Sequence, residues 1–238
     1  MRTNIPGGVR VVALPDTGAR LPLGPLAHGE HPEGLLRRSG FRSERPVAVG
    51  LTADGALELA YRVTRADGIR PRDDEDLAPW RDADLAPDEV GEPHQRVGAY
   101  AVVTSDRGVL LTQFNAQTRS AGEWGLPGGG LEPGEGPVEG VLREVWEETG
   151  QQIELGALVT VQSRHWVGRA PHGAVEDFHA VGIVYLATCP RPVDVIIHDA
   201  GGTTSDARWV PFGQLHAVPL TRSWRRLEAL SRLAQPPT

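Results

Sequence analysis

The segment "GLPGGGLEPGEGPVEGVLREVWEETG" covers residues 125–150 and leads from a loop rich in glycine and proline into a stretch rich in glutamate. The pattern predicts a helix from about Pro137 to Thr149, with Gly150 ending it in the left-handed conformation that favours glycine. One face carries apolar residues and is expected to be buried, and it consists of Val138, Val141, Leu142 and Val145.

The opposite face carries three carboxylates within one turn, because Glu144, Glu147 and Glu148 are separated by three and four residues. Like charges at this spacing repel, which favours a bound cation, and oxygen ligands suit Mg²⁺ or Mn²⁺. The glycines before the helix would let the backbone approach a metal or a phosphate closely. The alternative is a solvated helix face whose charge is partly offset by Arg143.

The spacing of the whole segment distinguishes these alternatives. Starting at Gly129, five residues lead to Glu135, seven more lead to Arg143, and "REVWEETG" follows. This pattern resembles the Nudix box, G-x5-E-x7-R-E-U-x-E-E-x-G-U, in which U is aliphatic. The last position departs from it, since Gln151 replaces the aliphatic residue. The strand after the helix is therefore expected to be shifted, or this position to be partly exposed.

The resemblance implies an α/β fold, namely the Nudix α/β/α sandwich with a mixed β-sheet, over residues 93–238. Residues 1–92 lie outside it and are expected to form a small β-rich N-terminal extension followed by an acidic connector. Such an extension is expected to pack on the Nudix core or on a second subunit, so a homodimer is a further expectation.

The resemblance also implies a metal-dependent pyrophosphohydrolase that uses Mg²⁺ or Mn²⁺. Its substrate would be a nucleoside diphosphate linked to another moiety: a nucleotide sugar, ADP-ribose, a dinucleotide or a nucleoside triphosphate. By position in the motif, the implied metal ligands are Glu147, Glu148 and the carbonyl of Gly129. Glu144 is implied as a ligand or as the base that deprotonates water. Arg143 and Glu135 are implied as residues that hold the catalytic turn in shape.

Residues outside the motif supply weaker candidates. The segment "SDARWVPFGQL" resembles one that provides a late carboxylate in some family members, which makes Asp206 a candidate base, although it could equally cap a strand. Glu176 and Asp177 are weaker candidates for the same role.

Trp166 could stack on a base or ribose, or pack in the core, and Arg164 or Arg169 could meet a terminal phosphate. His165, His172 and His179 are expected to be ordinary strand or loop residues, because a magnesium site does not need them.

Composition restricts the partners. The 238 residues carry a net charge of -7, with arginine as the only strongly basic residue and no dense basic cluster, which argues against binding a nucleic-acid duplex. The single cysteine excludes an internal disulfide and a multi-cysteine zinc site. No long apolar run indicates a signal peptide or membrane span, so a cytoplasmic protein is expected. A small nucleotide as its partner is what the Nudix resemblance implies.

Two other functional classes stay open. An isoprenoid-diphosphate isomerase of the same fold would need a catalytic cysteine, for which Cys189 beside Pro190 is poorly placed. A non-catalytic nucleotide sensor would not need the intact REVWEE sequence.

Further elements follow from local patterns. One hairpin is predicted over residues 47–63, with its turn at Asp54 and Gly55. A second is predicted over residues 97–114. Before them, proline spacing in residues 1–45 predicts only short extended pieces. At the other end, residues 220–234 are expected to form one amphipathic helix.

Overall fold

The computed structural model describes residues 2–66, 79–170, 172–199 and 201–233. Its strands are β1 (Arg2–Thr3), β2 (Val9–Pro15), β3 (Leu21–Pro25), β4 (Phe41–Leu51), β5 (Leu57–Arg65), β6 (Trp80–Arg81), β7 (Glu92–Ser105), β8 (Gly108–Phe114), β9 (Trp124–Gly125), β10 (Gly128–Gly130), β11 (Glu154–Arg169), β12 (Val175–Thr188) and β13 (Thr204–Val210). Its helices are α1 (Pro32–Arg38), α2 (Pro137–Thr149), α3 (Arg222–Arg225) and α4 (Glu228–Leu233), with a 3₁₀ helix at Phe212–Ala217. None of the helices in these ranges is both long and apolar enough to cross a membrane.

The chain forms two compact units that alternate along the sequence. The first unit comprises Met1–Gly98, Gly130–Pro137 and Leu158–Ile183. The second comprises Ala99–Gly129, Val138–Ala157 and Val184–Thr238. The division into domains at residue 92 stays a prediction, and residues 67–78 of the expected acidic connector lie outside the described residues.

The N-terminal part of the first unit is β-rich, as predicted. It contains a four-stranded sheet in the order β3-β2-β5-β4, in which β2 and β5 are parallel and the other pairs antiparallel. The predicted hairpin is present as β4 and β5, and Gly55 in its turn has a φ of 76°. Leu57, Leu59 and Tyr61 of β5 are buried and contribute to the core of this sheet.

A short helix interrupts the region in which only extended pieces were expected. Helix α1 begins at Pro32, where the missing N–H of proline costs nothing because the first helical N–H groups have no intrahelical partner. The His31 side chain caps the helix by accepting a hydrogen bond from the Glu33 N–H. Proline spacing thus limited the length of this helix without preventing it.

The second unit contains the other predicted hairpin. Strands β7 and β8 are antiparallel, with Thr104 opposite Val109 and Ser105 opposite Gly108. Gly108 has a φ of 117°, and a Cβ there would lie 2.0 Å from the Val210 carbonyl oxygen. Strand β13 pairs antiparallel with β8 on its other side. Parallel and antiparallel pairs both occur among the strands, which confirms the mixed α/β class.

Helix α2 has the predicted bounds, and Gly150 follows it with a φ of 70° while its N–H donates to the Trp146 carbonyl. Its apolar face is narrower than predicted. Val141 and Val145 are fully buried, whereas Val138 and Leu142 are 42% and 38% exposed. The expectation that all four valine and leucine side chains are buried is therefore wrong.

The C-terminal segment is two short helices, so the single helix expected over residues 220–234 is also wrong. The break falls between α3 and α4, where the Leu227 N–H donates to the Trp224 carbonyl three residues back instead of four. Trp224, Leu227 and Leu230 are nevertheless buried, as their spacing suggested. Burial of the same side chains is thus achieved with a kinked backbone.

Candidate active site

The glycine-rich loop meets helix α2 at Gly129. A Cβ at this position would lie 2.6 Å from Cδ of Glu144 and 2.7 Å from both of its carboxylate oxygens. No side chain larger than hydrogen fits there without moving Glu144. The preceding residue is similarly restricted, because a Cβ on Gly128 would lie 2.3 Å from the Ala99 carbonyl oxygen. The two glycines therefore permit direct contact between loop backbone and helix carboxylates.

Arg143 contacts two of the three carboxylates. Its Nη1 donates to Oε1 of Glu144 at 3.0 Å and to Oε2 of Glu147 at 2.9 Å. Both acceptors are partly exposed, so solvent screens these pairs. The guanidinium fixes the orientation of both carboxylates and offsets part of their mutual repulsion.

Glu148 is the most buried of the three carboxylates, with 6% of its surface exposed. Its Oε2 accepts a hydrogen bond from the Gly128 N–H at 2.9 Å, and its Oε1 accepts one from the Thr204 hydroxyl. Burial raises the pKa of Glu148 to about 8, although these two hydrogen bonds oppose the shift. In the part of the chain that the structure describes, no basic side chain pairs with this carboxylate.

The segment before β13 hydrogen-bonds to the last turn of helix α2. The N–H groups of His198 and Asp199 donate to the Glu147 carbonyl at 2.7 and 3.1 Å. The His198 ring stacks on Trp146, with ring centres 4.3 Å apart. The charge of Asp199 contributes to the raised pKa of Glu148 after burial and the Glu144 charge. Thus Asp199 lies close enough to the carboxylates to be a further acidic candidate.

These side chains fit a divalent cation with oxygen ligands. Glu144, Glu147 and Glu148 offer carboxylate oxygens from one face of α2, and Gly129 brings its backbone against Glu144. A buried carboxylate that lacks a basic partner is costly to ionise, and a bound cation removes that cost. The residues that could hold a metal are therefore those proposed from the motif, with Asp199 nearby.

Thr204 and Asp199 were missed by sequence reasoning. Neither lies in the motif, and threonine and aspartate are common in loops and at strand ends. The nearest signal was the choice of Asp206 in the same segment. Asp206 is exposed, and its carboxylate accepts from the adjacent Ala207 N–H at 2.8 Å. A register shift between Thr204 and Asp206 separates the environments of the two residues. The role of Asp206 as a base stays a prediction.

Glu135 belongs to the first compact unit, in the loop that precedes α2. Its carboxylate accepts from the Glu132 N–H at 2.9 Å, while its own N–H donates to the Glu132 carbonyl at 3.0 Å. This reciprocal pair restrains the loop locally, and the role of Glu135 in supporting the catalytic turn stays a prediction.

The three substrate candidates also belong to the first unit. Trp166 in β11 packs against Phe178 with ring centres 4.5 Å apart. Arg169 pairs with Glu89, and Arg164 donates to the Gln162 side chain at 2.6 Å. All three have protein partners, and their roles as substrate contacts stay predictions.

The residue that departs from the motif is buried, with Gln151 only 1% exposed. Its Nε2 donates to the carbonyls of Thr149 and Val193 at 3.1 and 3.2 Å, and its Oε1 accepts from the Val193 N–H at 3.0 Å. The expected exposure at this position is therefore wrong, because the side-chain amide replaces apolar packing with a set of hydrogen bonds to the backbone.

Comparison with known proteins shows a similarity that reaches well beyond the motif. The NUDIX domain family matches residues 93–233. The chain is 37% identical over 82 residues to the CTP pyrophosphohydrolase of Escherichia coli, covering 33% of this chain and 61% of that protein, which is less than two thirds of its length.

Two further similarities cover more of the other protein. The nucleoside triphosphatase NudI of Salmonella schwarzengrund is 31% identical over 143 residues, covering 58% of this chain and 98% of that one. The crystal structure of a MutT protein from Methanosarcina mazei superposes with a TM-score of 0.45 at 24% identity, covering 60% of this chain and 96% of that chain. From the family match and the relative covered almost completely, the chain belongs to the NUDIX domain family.

Proposed function

We propose that this protein hydrolyses a pyrophosphate bond in a nucleoside diphosphate linked to another moiety, with a divalent cation held by Glu144, Glu147, Glu148 and the carbonyl of Gly129. The observation that carries the proposal is the contact between Gly129 and the Glu144 carboxylate, together with the buried Glu148. Helix and loop together supply several oxygen donors where a cation would offset their charge.

The protein's own groups would have separate tasks. Arg143 donates to both Glu144 and Glu147 and so restricts the orientation of their carboxylates. Thr204 and the Gly128 N–H orient Glu148 and favour its ionised form against the effect of burial. When bound, Mg²⁺ or Mn²⁺ lowers the pKa of coordinated water and neutralises charge on phosphate oxygens. Glu144, Asp199 and Asp206 are the candidates for accepting the proton of the attacking water.

Nucleoside triphosphates are the substrate class that we favour among those open to the family. The support is indirect: two relatives are named for hydrolysis of CTP or of nucleoside triphosphates. Water attack would then split the triphosphate into a nucleoside monophosphate and pyrophosphate. Nucleotide sugars, ADP-ribose and dinucleotides remain alternative substrates to be tested. A cytoplasmic location and a homodimer are further proposals.

A substrate panel tests the proposal. Purified protein is incubated with each nucleotide class in Mg²⁺, in Mn²⁺ and in chelator, and products are separated by ion-exchange chromatography. The Glu147→Gln variant should fall to the background rate while keeping its fold, because one metal ligand is lost. The matched control is Glu139→Gln, an exposed residue of the same helix, which should retain wild-type turnover. Equal turnover in both variants, or turnover in chelator, would reject the metal site.

The other two classes make different predictions for the same panel. A nucleotide sensor would bind nucleotide with Mg²⁺ yet release no product over hours. An isomerase would depend on Cys189, but this side chain is only 2% exposed and burial raises the pKa of its thiol, which opposes catalysis by the thiolate. Burial of the thiol therefore favours the hydrolase.

A further inference from the structure

Three side chains from separate segments meet in the first compact unit. His28 lies in the turn after β3, His165 lies on β11, and Asp177 lies on β12. Nε2 of His28 and Nε2 of His165 both contact Oδ1 of Asp177, at 2.9 and 2.5 Å. One potential ligand atom from each residue lies within 4.8 Å of the others. The three side chains are mostly buried, and we call them the His-His-Asp cluster.

The turn that carries His28 is held rigidly. The Ala27 N–H donates to the Glu30 carboxylate at 3.0 Å, and the Glu30 N–H donates back to the Ala27 carbonyl at 3.1 Å. Gly29 between them has a φ of 76°, and a Cβ there would lie 2.3 Å from Nδ1 of His165. Only glycine therefore allows the turn to approach the His165 ring this closely. The backbone of the turn is thus restrained close to the His165 ring.

A fourth histidine supports the cluster without being available as a ligand. Nε2 of His179 contacts the Ser163 hydroxyl at 2.8 Å, and Nδ1 contacts the Gln95 amide at 3.0 Å. Ser163 in turn donates to the Glu30 carbonyl at 2.9 Å. Both ring nitrogens of His179 are thus engaged, and its ring packs edge-on against that of His28. This layer connects the turn of His28 to the two strands.

The two imidazoles converge on a single carboxylate oxygen, because Nε2 of His28 and Nε2 of His165 both lie against Oδ1 of Asp177. Two imidazoles and one carboxylate are a donor set that zinc and neighbouring transition metals bind, with the remaining position left to water. The carboxylates of α2, which contain no nitrogen donor, suit a different class of cation.

The required movement is small. Ligand bonds of about 2.1 Å at tetrahedral angles place ligand atoms about 3.4 Å apart. The cluster is already compact, with a largest separation of 4.8 Å, so small rotations of the side chains would bring the atoms to these distances. We propose that His28, His165 and Asp177 bind one divalent transition-metal ion of the zinc class, which fastens the turn at residues 27–30 to β11 and β12.

Metal content tests this site separately from catalysis. Chelator-treated protein is dialysed against Zn²⁺ in the presence of excess Mg²⁺, which occupies sites made only of oxygen, and zinc is measured per chain by mass spectrometry. The wild-type protein should retain one equivalent. His28→Asn and Asp177→Asn should each lower the zinc affinity, and by more than the roughly 10- to 100-fold that follows from removing an outer-shell partner. Co²⁺ should give the visible absorption of a four-coordinate site in the wild-type protein and not in His28→Asn or Asp177→Asn.

Two controls make the test specific. His172→Asn changes an exposed histidine and should keep the zinc, as should Glu147→Gln, which alters only the carboxylates of α2. Zinc should raise the unfolding temperature of the wild-type protein and of both controls, but not that of His28→Asn. The proposal is overturned if the wild-type protein retains no zinc, if His28→Asn and Asp177→Asn retain a full equivalent, or if His172→Asn loses it. The wild-type stoichiometry and Co²⁺ spectrum decide the matter even if a variant fails to fold.

Discussion

The hydroxyl of Thr204 donates a hydrogen bond to the carboxylate of Glu148, and so connects the first residue of β13 to the most buried acid of α2. The bond stabilises the ionised carboxylate against the cost of burial. It also fixes the orientation of a side chain that is proposed to bind a metal, a task that outer residues commonly perform in metal sites.

Thr204→Val should weaken Mg²⁺ binding by about 10- to 100-fold, because it removes the hydroxyl and leaves the shape of the side chain. Titration calorimetry with Mg²⁺ measures the effect. Thr204→Ser should restore most of the affinity, and Ser205→Ala, at an exposed neighbour, should leave it unchanged. Unchanged affinity in Thr204→Val would show that the hydrogen bond does not support the metal site.

Glu148 should give the metal-free protein a distinctive dependence of stability on pH. Burial raises the pKa of Glu148 to about 8 in the folded protein, above its ordinary value in the unfolded chain. The folded state therefore holds a proton that the unfolded state has released, and its stability is greatest below the unfolded pKa and falls as pH rises through about 8.

Urea unfolding in chelator from about pH 5 to about pH 8.5, which covers most of the interval between the two pKa values, measures this slope. Glu148→Gln stays uncharged and should flatten it, while Glu139→Gln should not. Saturating Mg²⁺ should also flatten the slope in the wild-type protein, because the cation stabilises the ionised form. An identical slope in wild-type protein and Glu148→Gln would contradict the assignment.

Gly129→Ala should reduce kcat/KM by about a hundredfold or more, because its Cβ would displace the Glu144 carboxylate and misplace the proposed metal ligands. Steady-state kinetics on whichever nucleotide is turned over provides the measurement. Gly213→Ala is the matched control, since a Cβ there meets nothing within 4 Å. Near-normal activity in Gly129→Ala would mean that the loop does not need to approach Glu144.

Cys189→Ala should leave turnover unchanged, because the thiol is buried and contacts the Gln151 amide oxygen at 3.8 Å rather than any of the proposed metal ligands. In the wild-type protein, iodoacetamide should modify this thiol far more slowly in the folded state than in urea, as mass spectrometry would record. Loss of activity in a well-folded Cys189→Ala would contradict this prediction and favour the isomerase, which needs a catalytic cysteine.

Local signals predicted the parts of the molecule that local chemistry determines. Asp54 and Gly55 placed the turn between β4 and β5, and Gly150 marked the end of α2 through its left-handed backbone. The three acidic residues of the motif were assigned to one helix face by spacing alone. In these cases the residues that determine the structure lie within a few positions of one another.

Contacts between distant segments were not predictable in this way. His28 and Asp177 are 149 residues apart and belong to no common pattern, so nothing in the sequence pointed to their contact. His165 and His179 were read as ordinary strand residues, and Asp177 only as a weak candidate base. The exposure of Val138 and Leu142 depends on how much of α2 the surrounding chain covers, which helical periodicity does not specify.

The buried amide of Gln151 has a consequence for how this chain tolerates substitution. An aliphatic residue would restore the family pattern at this position but would remove the buried amide that donates to the carbonyls of Thr149 and Val193 and accepts from the Val193 N–H. A change that looks like a return to consensus is therefore expected to destabilise this protein. Because Gln151 bonds the backbone of residue 193, a segment grafted from a relative across this position would have to keep the glutamine to keep these hydrogen bonds.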